Sequence, residues 1–177
     1  MIERLETERL ALRAITVADI DLLVELDSDP VVMRLINGGR PSTRAEVEDT
    51  VDRSIGHRWI AYDRATGAFV GWFTMRPSTK ERSTRYLGYR LRRQAWGKGL
   101  ATEGSRALIG ATFARGDTER IRAQTMTVNT ASRRVMEHCG LRYLRTFFEE
   151  WDEQIEGGEL GDVEYELARS DWESRRA

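Results

Sequence analysis

Between Tyr86 and Arg115 the chain runs a strand-like segment through a glycine-bearing turn into a long helical pattern. The junction reads Arg92-Arg93-Gln94-Ala95-Trp96-Gly97-Lys98-Gly99-Leu100-Ala101-Thr102-Glu103. Such a turn leaves a row of backbone N–H groups at a helix start with no intrahelical acceptor, at the positive end of the helix dipole. An anion is their natural occupant, and a pyrophosphate fits best. Gly97 and Gly99 let the main chain approach an anion without a Cβ in the way. Ala101 is small enough for the first helical turn to sit close to a ligand or a neighbouring strand. Lys98 and the pair Arg92-Arg93 add positive charge. Spacing alone leaves a second reading open, a tight strand-to-helix turn with exposed cations.

Two common nucleotide signatures fail at this turn. A P-loop needs Ser or Thr after Gly-Lys, but Gly99 follows Lys98. A dinucleotide fingerprint needs a glycine three residues after Gly99, where Thr102 stands. The single cysteine, Cys139, excludes an internal disulfide and a multi-cysteine metal site, and His57 and His138 lack ligand spacing. No metal is therefore expected. Lys+Arg 28 against Asp+Glu 29 gives a net charge of -1, and no basic stripe emerges, so nucleic acid is not an expected partner. No apolar run approaches the roughly 20 residues of a membrane span, and Met1 to Glu6 lacks the apolar core of a signal peptide. A cytoplasmic protein is expected.

The 177 residues show no repeat or linker, so one domain, 1–177, is expected. Glu8 to Arg13 alternates as a half-buried strand does, and Thr16 with Asp19 opens a helix through Ile20, Leu23, Val24 and Asp27. Pro30 starts a short helix that Asn37-Gly38-Gly39 ends, and Thr43 with Glu46 forms a capping box for a third carrying Val47, Val51 and Ile55. The period then changes. Arg58 to Asp63 and Ala68 to Arg76 read as a hairpin, and Arg85 to Leu91 as a further strand. Gly99 to Arg115 is helical, with Leu100, Ser105, Leu108, Ile109, Thr112 and Phe113 inward, and Gly116-Asp117 stops it. Strands at Ile121 to Val128, Arg142 to Phe148 and Val163 to Arg169 follow, with a helix from Thr130 to His138. The pattern predicts an α+β sheet with helices on its faces.

Leu87-Gly88-Tyr89 through Trp96-Gly97-Lys98-Gly99-Leu100-Ala101-Thr102-Glu103 resembles the acetyl-CoA-binding core of the GNAT N-acyltransferases. Thr7 to Arg13 resembles the first strand of the branch that includes the ribosomal-protein N-terminal acetyltransferases, and Asp29-Pro30-Val31-Val32-Met33 its second helix. Asn129-Thr130-Ala131-Ser132 with Met136 to Leu141 resembles the second cofactor-contacting helix, and Val163 to Leu167 leading to Trp172 the closing strand. The resemblance implies a mixed, mostly antiparallel central sheet splayed between its fourth and fifth strands, here Arg85 to Leu91 and Ile121 to Val128. It implies acetyl-CoA as co-substrate in that opening. Gln94, Ala95, Trp96, Gly97, Lys98 and Gly99, with Leu100, Ala101 and Thr102, are implied to hold the pyrophosphate, and Asn129 the pantetheine arm. Ser132 lies near the sulfur in the same scheme, and a homodimer is common in the family.

The implied reaction is attack of a neutral amine on a thioester. Backbone N–H groups near Leu91 and Arg92 are candidate oxyanion donors. The family's usual acid, a tyrosine on the helix after the asparagine, is absent, since Met136 stands near there. Ser132 is the remaining candidate beside a capping or packing role. An α-amino group near pKa 7.7–8.0 is roughly a tenth neutral at pH 7, and a lysine amine near 10.4 is below about 0.1% neutral. A weak amine thus needs little more than a water path; for a stronger one the candidate bases are Glu103, Glu149, Glu150 and His57. The acidic stretch Glu149, Glu150, Asp152, Glu153, Glu156, Glu159, Asp162 suits a cationic acceptor, such as a basic peptide N-terminus or a small polycation, or is a solvated loop. Trp59, Trp72, Phe73 and Trp151 either line the acceptor cleft or pack the sheet. An aminoglycoside-type acetyltransferase and a non-catalytic CoA-binding module are the competing readings.

Overall fold

Strands β2 (Leu10–Ala14), β3 (Arg58–Asp63), β4 (Phe69–Pro77) and β5 (Thr84–Leu91) form an antiparallel meander, edged by a short β1 (Arg4–Glu6). The sheet continues through β6 (Arg120–Met126), and β8 (Asp162–Ala168) lies between β6 and the edge strand β7 (Arg142–Phe147). This computed structural model describes residues 2–36, 39–148 and 155–175. Among the described residues eight strands run in the order β1-β2-β3-β4-β5-β6-β8-β7, and β5–β6 is a parallel pair among antiparallel neighbours. The mixed, mostly antiparallel sheet is as expected. The family's fourth and fifth strands are β5 and β6 because Arg4–Glu6 adds one at the edge.

Period-two alternation sorts the side chains into two layers. Trp59, Phe73, Met75, Leu87 and Leu91 point to the face covered by α4 (Leu100–Ala114) and α5 (Thr130–His138). Ile60 and Trp72 point to the face covered by α1 (Ile20–Asp27), α2 (Pro30–Met33) and α3 (Arg44–Ser54). Helices thus cover both faces. The inner side of α4 buries Leu100, Ser105, Leu108, Ile109, Thr112 and Phe113, as its spacing predicts, and Gly104 besides. A Cβ at Gly104 would stand 2.4 Å from the Phe73 ring, so this glycine sets how closely α4 lies on β4. The Thr43–Glu46 capping box is present at α3. Trp172 follows the last strand on α6 (Arg169–Ser174), its ring centroid 5.3 Å from that of Phe113. Among the described residues no helix is long and apolar enough to cross a membrane.

The feature that positions the site is a short ladder. β5 and β6 pair through Thr84–Tyr86 and Arg120–Arg122, after which they separate. From Leu87 onward β5 pairs with β4, while Ala123 to Met126 pair with β8.

Candidate functional site

Where β5 ends, a 3-10 turn (Arg93–Ala95) leads to Gly97 and Gly99, both left-handed at φ 71 and 77. The N–H groups of Ala95 and Trp96 are consumed by this turn, donating to Arg92 and Arg93 carbonyls. Those two amides drop out of the predicted anion cradle. The next six, Gly97 through Thr102, have no acceptor among the described residues, and α4 has no side-chain N-cap. A row of six unpaired donors at the start of a 15-residue helix is what a pyrophosphate requires. The residues present therefore fit that group. A Cβ added at Gly97 would meet nothing within 4 Å, so its outer side is open.

Three side chains hold the turn. The Trp96 indole, 46% exposed, donates to the Leu91 carbonyl at 2.8 Å and pins the loop to the end of β5. Arg9 donates to the Lys98 carbonyl at 2.9 Å and to Glu103 at 2.7 Å. Glu103 also accepts from the Thr7 hydroxyl at 2.6 Å and the Arg9 N–H at 2.8 Å. Burial alone would raise the Glu103 carboxyl; the bonds from Thr7 and Arg9 outweigh it and hold the group below its usual range. Fully engaged in this way, Glu103 is a strut for the loop and not a base.

The Arg92 N–H donates to the Val70 carbonyl at 2.9 Å, which removes it as an oxyanion donor. Strand alternation explains this. If Arg92 faces β4, the N–H of Leu91 and both backbone groups of Tyr89 face the side that β6 has left. Leu91 is the position the splayed strand leaves available.

Between the separated strands lies a cavity of about 510 Å³, whose lining includes Trp72, Tyr89, Asn129, Ser132, Met136 and Asp162. Asn129 caps α5, accepting the Ser132 N–H on its Oδ1 at 3.1 Å, which fixes the amide orientation and turns the Nδ2 donor outward from the cap. The Ser132 hydroxyl is not the cap. It lies 3.0 Å from the Tyr89 hydroxyl, which is also 3.0 Å from the Ser132 carbonyl. Burial drives the Tyr89 phenol well above its ordinary range, so it is protonated at neutral pH and can donate. The helix carries Met136 where the family's acid is expected, and the strand opposite brings the Tyr89 hydroxyl into the cavity lining. Tyr89 sits two residues from both Leu87 and Leu91, a tyrosine on an inward stripe, and that was the available signal.

Other expected residues fall elsewhere. Trp59 is 4% exposed in the core on the α4 side and donates its indole N–H to the Ile2 carbonyl, because its register partner is the inward Phe73. Neither aromatic lines the cleft. Trp72, on the opposite face, does. His57 lies outside the cavity lining, and burial, then the charges of Arg58, Arg76 and Arg85, push its pKa down. Cys139 is buried, and burial pushes its thiol up to about 11, so it is no ready nucleophile. Glu149, Glu150, Trp151, Asp152 and Glu153 lie outside the described residues. Of the rest of the acidic stretch, Glu156 and Glu159 are exposed, and Asp162 lines the cavity.

Residues 9–142 match the acetyltransferase (GNAT) domain family. The chain belongs to the GNAT acetyltransferases. A relative from Aspergillus fumigatus, FsC-acetyl coenzyme A-N(2)-transacetylase, is 34% identical over 185 residues, which span 95% of this chain and 77% of the relative. Among solved structures, a GNAT-family acetyltransferase from Bacillus anthracis superposes with a TM-score of 0.78 at 25% identity, covering 94% of this chain and 99% of that one. RimL, a ribosomal-protein alpha-N-protein acetyltransferase solved with coenzyme A, superposes with a TM-score of 0.79 at 19% identity over 96% and 99% of the two chains. That last similarity is one of fold. As a GNAT acetyltransferase the chain is an enzyme of acetyl transfer.

Proposed function

We propose that this GNAT enzyme moves the acetyl group of acetyl-CoA to the nitrogen of an amine that enters the cavity between β5 and β6. The observation that carries the reading is the row of unpaired N–H groups from Gly97 to Thr102, set beside a sheet that opens at the same level. Acetyl-CoA supplies an activated acyl carbon: a C–N bond forms, the C–S bond breaks, the amine loses a proton and the thiol gains one.

Each of these needs but one has a group on this chain; the amine's proton leaves to water. The six amides and Lys98 hold the diphosphate. Asn129 Nδ2 is a donor for an amide carbonyl of the extended arm. The Leu91 N–H, turned into the opening, is the main-chain donor for charge developing on the acyl oxygen. Tyr89 holds the proton destined for the sulfur, and Ser132, hydrogen-bonded to it, fixes the phenol in place. Among the described residues, Asp162 places a carboxylate in the lining and adds negative charge to the side a cationic amine approaches. The Aspergillus relative is named for transfer to an N(2) nitrogen. An acceptor that is an α-amino group is already roughly a tenth neutral at pH 7, so it asks little of a base.

The test is a thiol-release assay with acetyl-CoA against amino acids, N-terminal peptides, polyamines and aminoglycosides. Release with at least one class, lost in Gly97→Val, supports transfer at this site. Binding of acetyl-CoA without release across the panel reduces the chain to a CoA-binding module and overturns the proposal.

A further inference from the structure

A second group of charges lies on the other face of the sheet. Register puts Arg90 of β5 directly beside Trp72 of β4, and Arg58 of β3 one step along on the same face, opposite Thr74. Both guanidinium groups lie over the Trp72 ring, at 4.2 Å for Arg58 and 5.3 Å for Arg90. Together they line a cavity of about 380 Å³. Trp72, Ile36 and Arg40 line this cavity and the larger one alike, so the two spaces adjoin across the indole.

The charges here do not balance. Arg90 donates to Asp27 at 2.5 Å, and Asp27 is buried. At the rim Arg40 is paired with Glu46, and Arg53 with Asp49. Arg58 has no carboxylate partner among the described residues, and the Nε atoms of Arg58 and Arg90 are both buried without an acceptor. Burial, then the charge of Arg90, push the Arg58 guanidinium down to about 10 against the opposing pull of Asp27, which still leaves it cationic at neutral pH. Two half-buried guanidiniums, each with a buried Nε that lacks an acceptor, face one buried carboxylate, which leaves one surplus positive charge and two unmet donors. Buried donors left without an acceptor cost stability, so these two Nε groups call for a partner that the fold itself does not supply.

We propose that Arg58, Arg90 and Trp72 form a carboxylate subsite, so that the acetylated amine is one that also carries a carboxylate. The inference rests on the reading of the larger cavity as the place of amine acetylation, and it names the acceptor class. A carboxylate matches the planar, forked donors of a guanidinium. Its single charge also cancels the single surplus, whereas a phosphate dianion beside Asp27 would leave a buried excess of negative charge. A polycation would meet like charge on this face.

Two measurements test the assignment. Amines of the amino-acid type are assayed for acetyl-CoA thiol release in matched pairs, free acid and methyl ester. The acid is expected to have a kcat/KM roughly 10- to 100-fold higher, the effect of one charge-assisted bond, and the ratio should fall toward one in Arg58→Met. Independently of turnover, calorimetry with N-acetylated amino acids and their amides should show binding of the acids, lost in Arg58→Met. Arg58→Met should also unfold at the same temperature as the parent or higher, since it removes an uncompensated charge; a purely structural arginine would lower it. Equal use of acid and ester, or no binding of the acids, overturns the subsite and leaves acetyl transfer standing. Binding of the acids with no thiol release from any amine keeps the subsite and removes the transferase reading instead.

Discussion

Substituting Gly97 separates the cost of a backbone conformation from the loss of a ligand. Its φ of 71 lies in the left-handed region, and a Cβ there would meet nothing within 4 Å. Gly116, at the far end of α4, has φ 84 and equally empty surroundings. Replacing either by valine forces an L residue into the same unfavourable region, at a cost of about 1–2 kcal/mol. For a chain of this size that is a fall in Tm of roughly 2–8 °C, similar for both variants. The consequences for binding differ. At Gly97 the new side chain projects from the row of open amides, and each charge-assisted bond lost there is worth about 1.5–3 kcal/mol. Acetyl-CoA affinity should therefore fall at least 10-fold in Gly97→Val and remain within about 2-fold in Gly116→Val. Calorimetric titration gives the affinities, and thermal unfolding of the two ligand-free variants gives the matched strain. Equal affinity in both variants, with both folded, would refute the placement of the diphosphate at this turn.

Tyr89→Phe should lower kcat about 100-fold, the usual contribution of a positioned acid, with little change in the KM for acetyl-CoA; a kcat within 2-fold of the parent would remove Tyr89 from the chemistry. For Glu103 the folded carboxyl lies below its ordinary 4.5, so its stabilisation is present above that value and lost as pH falls through the lower folded value. Glu103→Gln should flatten the stability-versus-pH curve below about pH 4.5 and weaken acetyl-CoA binding several-fold by freeing the loop, both measurable by chemical unfolding and titration. Gly104→Ala drives a methyl group into the Phe73 ring and should cost about 1–3 kcal/mol in denaturant unfolding, through overpacking alone. An unchanged midpoint would mean that α4 can lift off β4 freely.

The inner stripe of α4 was legible because one helix repeats one period over 15 residues, and each burial decision is local. The capping box at Thr43 and Glu46 was legible for the same reason. Strand β1 was not: Arg4–Glu6 is three residues long and mostly exposed, and it exists because β2 offers it an edge. Trp59 and Trp72 look alike in a list of aromatics. Their separation to opposite faces follows from register between β3 and β4, which no single strand encodes. The site's polar contacts are more distant still. Tyr89 meets Ser132 across 43 residues and Arg9 meets Glu103 across 94, so only the assembled sheet brings them together. The turn at Gly97 was readable as a motif, yet which of its amides remain free depended on the 3-10 turn that takes up two of them.

The brief parallel ladder between β5 and β6 has a mechanical corollary. The meander and the β6–β8–β7 block are stitched edge to edge by a few rungs, so a molecule lodged in the gap acts as mortar between two walls. Amides at the rim of that seam should exchange with deuterium faster than those in mid-meander, and filling the seam should slow them on both sides at once. Occupancy would then be felt as cohesion of the entire sheet, across a join only three residue pairs long.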